Sequence, residues 1–536
     1  MSELTNSAAG TPGAGYQRLV HRLFLVAAVL MACQYTVFRY GPATVFVMPL
    51  GIHGPESIGL EPKAKEGVEP SDVQKPGVFV IDWATWDRVA YRLQKVKSIP
   101  PAEMFAALLF LLAAPLAFVL GRRQLWPRWP QWMFIGLAGL SLLGASHFKG
   151  GVMEVAQWCL VVLAAYWLAG VALVDAEQVK RLLRWLGWLT LVLIGMAALE
   201  YYRYILVPKG AAELPTYVRA TCQSRSAYGG LMALLLALAY GRVLAGPRPL
   251  ARLGWALVCL AGSLTMTAAG AVVAWFVACL AMAAQRGRNA FVATLVLVPL
   301  AYLGAANQVS TYHLWHLQRS WAFLSLDERY QPNGVEKRYL ELGASLRAFD
   351  GQLDREVVGS LKEPGAEEAI VKPIGKRSVA AFGVGPGGNY QHAIGQYYAA
   401  LDNPKKQEQD TYTLYLMLAL QLGVFGALCF AWLWTDGMGI ARAAYGALED
   451  PELVAAALGV HGACAAVAVF SVWGTLLVRG PGLLIFVVLA LAARLERLSQ
   501  PAPPSPLTPD VVHVVVADEA TSVFDDQAPP DAEAVV

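Results

Sequence analysis

Long apolar segments alternate along this chain with short polar segments that hold most of its charges. A helix needs about 20 mainly apolar residues to cross the hydrocarbon core of a bilayer. By this pattern we expect about twelve membrane-spanning helices. The apolar runs lie near residues 19–39, 104–121, 132–146, 153–173, 185–204, 226–241, 253–266, 269–285, 290–306, 412–434, 453–477 and 481–494. The seventh and eighth runs are continuous, and a turn at residues 265–270 is expected to divide them.

The composition excludes a soluble protein of this length. Of the 536 residues, 56% are hydrophobic and 15% are charged, and the chain contains 16 tryptophans. A soluble chain could not bury so much apolar surface. The near-balanced net charge of +3 gives no reason to expect a nucleic acid partner. The seven cysteines form no Cys-x-x-Cys pair and predict neither a disulfide framework nor a metal site.

Lysines and arginines cluster in alternate connections between the predicted spans, as the positive-inside rule requires of cytoplasmic connections. The clusters that set the orientation are Arg18/Arg22, Arg122/Arg123/Arg128, Lys180/Arg181/Arg184, Arg242/Arg248/Arg252, Arg286/Arg288, Arg442 and Arg494/Arg497. Both termini are then cytoplasmic, with residues 1–18 as the N-terminal tail. Residues 495–536 become Pro-rich and then acidic, which predicts a disordered cytoplasmic tail.

Two long segments face outward in this topology. Residues 40–103 follow the first span, and residues 307–411 separate the ninth span from the tenth. The second segment is far longer than an ordinary connection between helices. The chain is therefore expected to contain nine spans in residues 19–306, a large outer loop at residues 307–411, and three spans in residues 412–494.

Arginines at the outer face are candidate ligands of a phosphate or diphosphate group. The planar guanidinium binds phosphate oxygens bidentately and always stays charged. Arg219 and Arg225 precede the sixth span, Arg338 lies in the large loop, and Arg479 lies between the last two spans. Because Arg225 opens a span, anchoring to lipid headgroups is an equally good interpretation for this residue.

Three other outer residues are candidate general bases. Asp410 lies where the large loop re-enters the membrane, Glu200 ends the fifth span, and His392 belongs to the large loop. A carboxylate such as Asp410 also favours the start of a helix without any catalytic role. The spacing of His313 and His316 permits a metal site, but no nearby carboxylate or cysteine completes one, so no metal is expected.

A glycine-rich run occupies residues 382–390, Phe-Gly-Val-Gly-Pro-Gly-Gly-Asn-Tyr. Alone, such a run indicates only a tight turn. It is not a phosphate-binding P-loop, because no Lys-Ser/Thr follows it and no buried strand precedes it. Its neighbours make it more informative. A predicted helix at residues 336–349 precedes the run, and residues 412–426 open the tenth span and end in Gly-x-x-Gly.

This series of motifs, together with the topology, resembles the O-antigen ligase and O-antigen polymerase superfamily of bacterial inner-membrane glycosyltransferases over about residues 180–480. The resemblance implies an all-α, GT-C-like fold of about twelve spans with a large periplasmic loop before span ten. It also implies glycan transfer from undecaprenyl diphosphate in the periplasm, without a metal, a nucleotide sugar or another cofactor. The implied partners are the lipid-linked donor, a glycan or lipid acceptor and membrane lipids, with a chain-length regulator as a further candidate.

The resemblance assigns roles to particular residues. Arg219 looks like the family arginine that serves the diphosphate in the loop before the sixth span. Arg338 resembles the arginine that opens the helix before the glycine turn, and Gly383, Gly385 and Gly387 match that turn.

The chain departs from the family pattern at two places. The Thr/Ser-Arg-Gly turn between spans seven and eight is Thr-Ala-Ala-Gly at residues 267–270, without the arginine. The ligase His-Asn pair before the tenth span aligns with Tyr-Thr at residues 412–413. The missing histidine favours a polymerase over an O-antigen ligase that transfers glycan to lipid A core. Arg225, Arg338 and Arg479 are candidates to replace the lost cation.

Two other functions stay open at this point. A metal-dependent transferase that uses polyprenyl-phosphate sugars would place paired acids in the first outer loop, where Asp82 and Asp87 flank two tryptophans. A transporter would show inverted repeats, broken spans and paired acids at mid-membrane. No convincing repeat is visible in the sequence, and the candidate charges crowd the outer edge.

Overall fold

Helices make up the regular secondary structure of the residues that the structure describes. The computed structural model describes residues 14–32, 105, 108–113, 115, 125–145, 148–201, 218, 220, 222, 225–309, 343, 345–346, 381, 383–387, 413–477 and 481–500. Its helices are α1 (Ala14–Leu30), α2 (Trp129–Ser141), α3 (Phe148–Ala172), α4 (Ala176–Tyr201), α5 (Arg225–Ala245), α6 (Pro249–Thr265), α7 (Ala269–Arg286), α8 (Arg288–Val309), α9 (Leu414–Ala447), α10 (Pro451–Phe470) and α11 (Pro481–Ser499).

Seven of the described helices are long and apolar enough to cross a membrane. They are α3, α4, α5, α7, α8, α9 and α10, while α6 is a shorter apolar helix. A helix suits this environment because it satisfies its own backbone hydrogen bonds where no water is available. Over its described part the chain is therefore an all-α polytopic membrane protein. The total of twelve spans and the GT-C-like arrangement stay predictions.

The helices follow the predicted apolar runs but extend beyond them where polar residues continue the helix. α6 ends at Thr265 and α7 begins at Ala269, which confirms the predicted turn between them. α9 continues past residue 434, the end of its predicted span, to Ala447. The C-cap residue Leu448 has an extended backbone, with φ −84° and ψ 136°, so the helix ends there. An apolar run thus marks only the part of a helix that suits lipid.

Both predicted tails are partly helical. α1 begins at Ala14, inside the predicted tail of residues 1–18. α11 continues to Ser499, inside the predicted disordered tail of residues 495–536, because Leu, Glu and Arg are good helix formers. One compact unit of the chain ends with this helix, and a second unit covers Gln500–Val536, of which the structure describes only the first residue.

α5 and α10 are the most buried of the seven candidate membrane spans, with 83% of the span window buried in each. Both are apolar on all sides, as expected of helices that are surrounded by other helices. They approach closely where Gly241 of α5 faces Gly459 of α10, since a Cβ on Gly241 would lie 2.6 Å from the Gly459 nitrogen. Small residues at such crossings are typical of packed membrane helices.

One end of the bundle is held by ion pairs, and we call it the ion-pair end. Lys180 of α4 donates a 2.5 Å hydrogen bond to Asp450, the N-cap residue of α10. Burial raises the pKa of Asp450, but hydrogen bonds from Lys180 and from backbone N–H groups outweigh burial and hold the pKa below its usual range. Nη1 of Arg128 lies 2.9 Å from Oε2 of Glu496 in α11, and Nε of Arg128 lies 3.3 Å from Oδ2 of Asp436 in α9. These residues lie in or beside connections that the charge pattern assigns to the cytoplasm.

The opposite end carries the glycine turn, residues 383–387, and we call it the turn end. There the N–H of Val218 donates to Oγ1 of Thr267 at 3.3 Å. The N–H of Leu414 donates to the carbonyl of Ser471 at 2.9 Å. These residues lie in or beside connections that the charge pattern places on the outer face. The contacts therefore group predicted inner connections at one end and outer ones at the other, while the end that faces the cytoplasm stays a prediction.

Candidate functional site

The glycine turn is the part of the predicted site that the structure places in detail. Five charged candidates lie outside the described residues, and they are Arg219, Arg338, Arg479, His392 and Asp410. Asp82 and Asp87, the acids of the alternative metal-dependent transferase, lie outside them as well. For Glu200 and Arg225 the structure gives only the backbone, at the end of α4 and at the start of α5.

Three glycines of the turn adopt left-handed backbone conformations. The φ angles of Gly383, Gly385 and Gly387 are +72°, +85° and +96°. Glycine enters this region readily because it has no Cβ to crowd the neighbouring carbonyl oxygen. With Val384 and Pro386 between them, the glycines place a left-handed residue at every second position. This backbone explains why the sequence has glycine at all three.

Each of these glycines also lies against the backbone of another segment. A Cβ on Gly383 would be 2.6 Å from the carbonyl oxygen of Leu420 in α9. A Cβ on Gly385 would be 2.7 Å from the Cα of Ala145, which precedes α3, and one on Gly387 would overlap with the first turn of α3. The glycine turn is therefore wedged between α9 and the segment that joins α2 to α3.

α9 is broken at Gly423, whose φ of +77° and ψ of 177° are not helical. Such a residue interrupts the helical hydrogen-bond ladder, so the carbonyls just before it need other donors. The N–H of Val384 donates to the carbonyl of Leu420 at 2.7 Å, and the N–H of Gly385 donates to the carbonyl of Gln421 at 3.1 Å. The glycine turn thus caps the break in α9, and the two features form one structural unit.

Glu154 of α3 joins this unit from the other side. Its Oε2 accepts a hydrogen bond from the N–H of Gly387, and its Oε1 accepts one from the side-chain amide of Gln421 at 3.2 Å. Gln421 is only 1% exposed. Its own Oε1 has no hydrogen-bond partner among the residues that the structure describes. One carboxylate thus connects α3, α9 and the large loop.

Neither Glu154 nor Gln421 was predicted from the sequence, although the sequence holds a signal for the first. Glu154 is an ionisable residue within an apolar run, and such residues are expensive in a membrane and mark candidate functional sites. Gln421 gives a weaker signal, because polar amides commonly link membrane helices. Neither signal identifies the partner, since Gly387 lies 233 positions from Glu154 along the chain.

The segment that carries Arg219 is held at the turn end through its neighbours. Val218 and Ala220 are 1% and 3% exposed, and the N–H of Val218 donates to Thr267 at the break between α6 and α7. Ala220 has a φ of +44°, a left-handed conformation that alanine rarely adopts. Strained backbone of this kind clusters at functional sites, where surrounding contacts hold it in place.

The described side chains give the turn end little charge. Glu154 is the carboxylate that they place there, and the exposed Lys149 lies at the start of the same helix, α3. Within the described ranges, no group of three or more His, Cys, Asp or Glu side chains is arranged to hold a metal ion. The geometry of this end is therefore that of a partly buried polar junction formed by backbone amides, one carboxylate and one carboxamide.

Comparison with protein-family models and with curated proteins gives no match for this chain. The interpretation of the turn end therefore depends on its own residues and contacts and on the resemblance of its motifs.

Proposed function

We propose that this protein is a glycosyltransferase of the bacterial inner membrane that polymerises glycan repeat units carried on undecaprenyl diphosphate. In this proposal the active site lies at the turn end, on the periplasmic side, and both termini are cytoplasmic. The observation that carries the proposal is the junction of the glycine turn with the break in α9. The glycine turn and the start of α9 are two of the motifs that carry the resemblance to the O-antigen polymerase superfamily, and they hydrogen-bond to each other.

The proposed reaction exchanges one bond at the anomeric carbon of the donor glycan. A hydroxyl of the acceptor sugar forms the new glycosidic bond while the bond to the diphosphate oxygen breaks. Undecaprenyl diphosphate leaves with the bonding electron pair, and a base takes the hydroxyl proton. Asp410, Glu200 and His392 are the candidate bases, in this order of preference. No metal or other cofactor takes part in the reaction as proposed.

Arginines stabilise the negative charge on the departing diphosphate, and electrostatic stabilisation of this kind usually contributes most to catalysis. Arg219 has this role, with Arg225, Arg338 and Arg479 as further ligands. Val218 packs on the break between α6 and α7, at the same end of the bundle as the glycine turn and the start of α5. This placement of its chain neighbour supports a common site for Arg219 and the glycine turn.

O-antigen ligase activity is the nearest alternative, because it differs only in the acceptor, which would be lipid A core. A transporter is supported less well. α9 is broken, as spans of many transporters are. However, the carbonyls of Leu420 and Gln421 before the break accept hydrogen bonds from the glycine turn, so they are less available to a solute or a coupling ion. The proposed partners are the lipid-linked donor, a glycan acceptor, membrane lipids and a chain-length regulator.

Deletion of the gene followed by complementation tests the polymerase proposal. We expect the deletion strain to accumulate single repeat units on undecaprenyl diphosphate, and the wild-type gene to restore long polymer. Polymer that stays on its lipid carrier in the deletion strain would instead identify a ligase. An unchanged glycan profile would contradict both assignments.

Arg219→Ala should lower chain extension by about 100-fold or more at an unchanged protein level, because it removes a ligand of the leaving group. Arg181→Ala is the matched control, since Arg181 is an exposed arginine of α4 at the ion-pair end. This control should leave polymer at its full length. Normal polymer in cells that carry Arg219→Ala would overturn the assignment of the diphosphate site.

A further inference from the structure

We propose that Glu154 and Gln421 are a positioning pair that holds the glycine turn of the large loop in the end of the helix bundle. The proposal rests on the proposed function for its catalytic meaning, but its geometry stands separately. Glu154 accepts hydrogen bonds from the N–H of Gly387 and from the side chain of Gln421. These bonds connect two helices that contain predicted membrane spans with a loop that carries candidate site residues.

Every N–H group between Val384 and Gly387 is used in this docking. The N–H groups of Val384 and Gly385 donate to carbonyls of α9, and the N–H of Gly387 donates to Glu154. Pro386 has no N–H to satisfy. Buried backbone donors without partners are costly, so a buried turn of this kind needs an acceptor for each of them. Without Glu154, the last donor of the turn would lose its acceptor.

Gln421 contributes to the docking with both its backbone and its side chain. Its carbonyl accepts the hydrogen bond from Gly385 at 3.1 Å, and its side-chain amide donates to Glu154 at 3.2 Å. The side chain is 1% exposed, and its Oε1 lacks a partner in the described part of the chain. An unpartnered buried oxygen lowers the stability of the fold. Such a cost is expected where a residue is retained for a function other than stability.

The role of Glu154 is indirect, because the turn lies in the same loop as Arg338, His392 and Asp410. A turn fixed in the bundle restricts where these residues can meet Arg219, which precedes α5. Both carboxylate oxygens of Glu154 already accept hydrogen bonds from protein donors. This arrangement suits an anchor better than a proton acceptor, so we assign Glu154 as a positioning residue.

Two substitutions of Glu154 distinguish its role as an anchor of the glycine turn from any role of its negative charge. Glu154→Ala removes both acceptors. Glu154→Gln keeps both contacts, because its carbonyl oxygen can accept from Gly387 and its NH2 group can donate to Oε1 of Gln421 after that amide flips. Glu449→Ala is the control, since Glu449 is an exposed carboxylate beside α10 at the ion-pair end.

Hydrogen–deuterium exchange of the full-length protein in lipid nanodiscs measures the anchor without reference to activity. In Glu154→Ala we expect the amides of residues 383–387 to exchange at least about tenfold faster than in the wild type. Hydrogen bonds to a charged group contribute about 1.5–3 kcal/mol, and each 1.4 kcal/mol is tenfold in an equilibrium. Glu154→Gln and Glu449→Ala should exchange at the wild-type rate. Unchanged exchange in Glu154→Ala would overturn the anchor.

Polymer length in complemented cells measures the positioning role. We expect Glu154→Ala to shorten the polymer strongly and Glu154→Gln to restore it. Full-length polymer despite fast exchange in Glu154→Ala would overturn positioning and leave a purely structural contact. A loss of polymer in Glu154→Gln with slow exchange would overturn it too, because the charge itself would then act in the reaction. A wild-type protein without polymerase activity would overturn the proposed function and the positioning role together, while the exchange rates would still report the anchor.

Discussion

Replacing Gly385 by alanine should detach the glycine turn from the break in α9, because two independent features of this position require glycine. Its φ of +85° costs an L-residue with a Cβ about 1–2 kcal/mol. The new Cβ would also lie 2.5 Å from the Cβ of Ala145 and 2.7 Å from its Cα, where carbon atoms normally keep about 3.5–4.0 Å. Because the turn lies between this segment and α9, it can relieve the overlap by leaving its docked position.

Such a movement stretches the 3.1 Å hydrogen bond from Gly385 to Gln421, which contributes about 1 kcal/mol. Together the backbone conformation and the lost bond disfavour the docked turn by about 2–3 kcal/mol. This free energy corresponds to a shift of about 30- to 150-fold in the equilibrium between docked and undocked turn. Hydrogen–deuterium exchange at residues 383–387 should accelerate by a similar factor, and polymer length in complemented cells should fall.

Gly439→Ala is the matched control for this prediction. Gly439 lies in the regular part of α9, and a Cβ added there would meet no atom within 4 Å. Alanine in an exposed helix stabilises by about 0.5–1 kcal/mol relative to glycine, so this variant should keep both slow exchange and full-length polymer. Wild-type exchange rates at residues 383–387 in Gly385→Ala would refute the reasoning, because the docked geometry would then tolerate a side chain.

Two further predictions concern stability, measured as thermal unfolding of the detergent-solubilised protein by tryptophan fluorescence. Ala220→Gly should raise stability by up to about 1 kcal/mol, because it relieves the left-handed conformation at φ +44°. Ala227→Gly is the control, and it should lower the stability because Ala227 lies within the regular helix α5. A lower unfolding midpoint for Ala220→Gly would contradict the backbone strain assigned to Ala220. Asp450→Ala should cost about 1 kcal/mol through loss of the N-cap of α10, whereas Asp450→Asn keeps the cap and loses only the partly buried ion pair with Lys180. The pKa of Asp450 is lower in the folded protein, so its contribution is present above about pH 4 and disappears as the pH falls through the folded-state pKa. Wild-type and Asp450→Ala proteins that stay equally far apart at pH 3 and pH 7 would contradict this linkage.

The sequence predicts the helices well because lipid imposes a simple requirement on them. A membrane helix satisfies its own backbone, so an apolar run of sufficient length is nearly enough to identify it. The break between Thr265 and Ala269 could be predicted in the same way, because the apolar run that contains it is too long for a single membrane span. The extension of α9 to Ala447 did not follow, because hydropathy does not register a helix that continues with polar residues outside the lipid.

The candidate site could be predicted only where a local conformation requires a particular residue. The alternating glycines of the turn are visible in the sequence because left-handed backbone needs them. The break at Gly423 was not visible as a break, because its stability depends on donors from residues 383–387 of the large loop. Glu154 was not predicted, although it is an ionisable residue within an apolar run, and its partner Gly387 lies too distant in the chain for any local pattern to reveal.

The length of glycan made by the purified protein tests the central claim most directly. The protein, reconstituted in liposomes, would receive lipid-linked single repeat units extracted from the deletion strain, with EDTA present throughout. We predict glycans longer than one unit and one undecaprenyl diphosphate released for each bond formed, with both products lost in Arg219→Ala and retained in Arg181→Ala. Single units that remain unextended by the wild-type protein, or that are extended equally well by Arg219→Ala, would contradict the account.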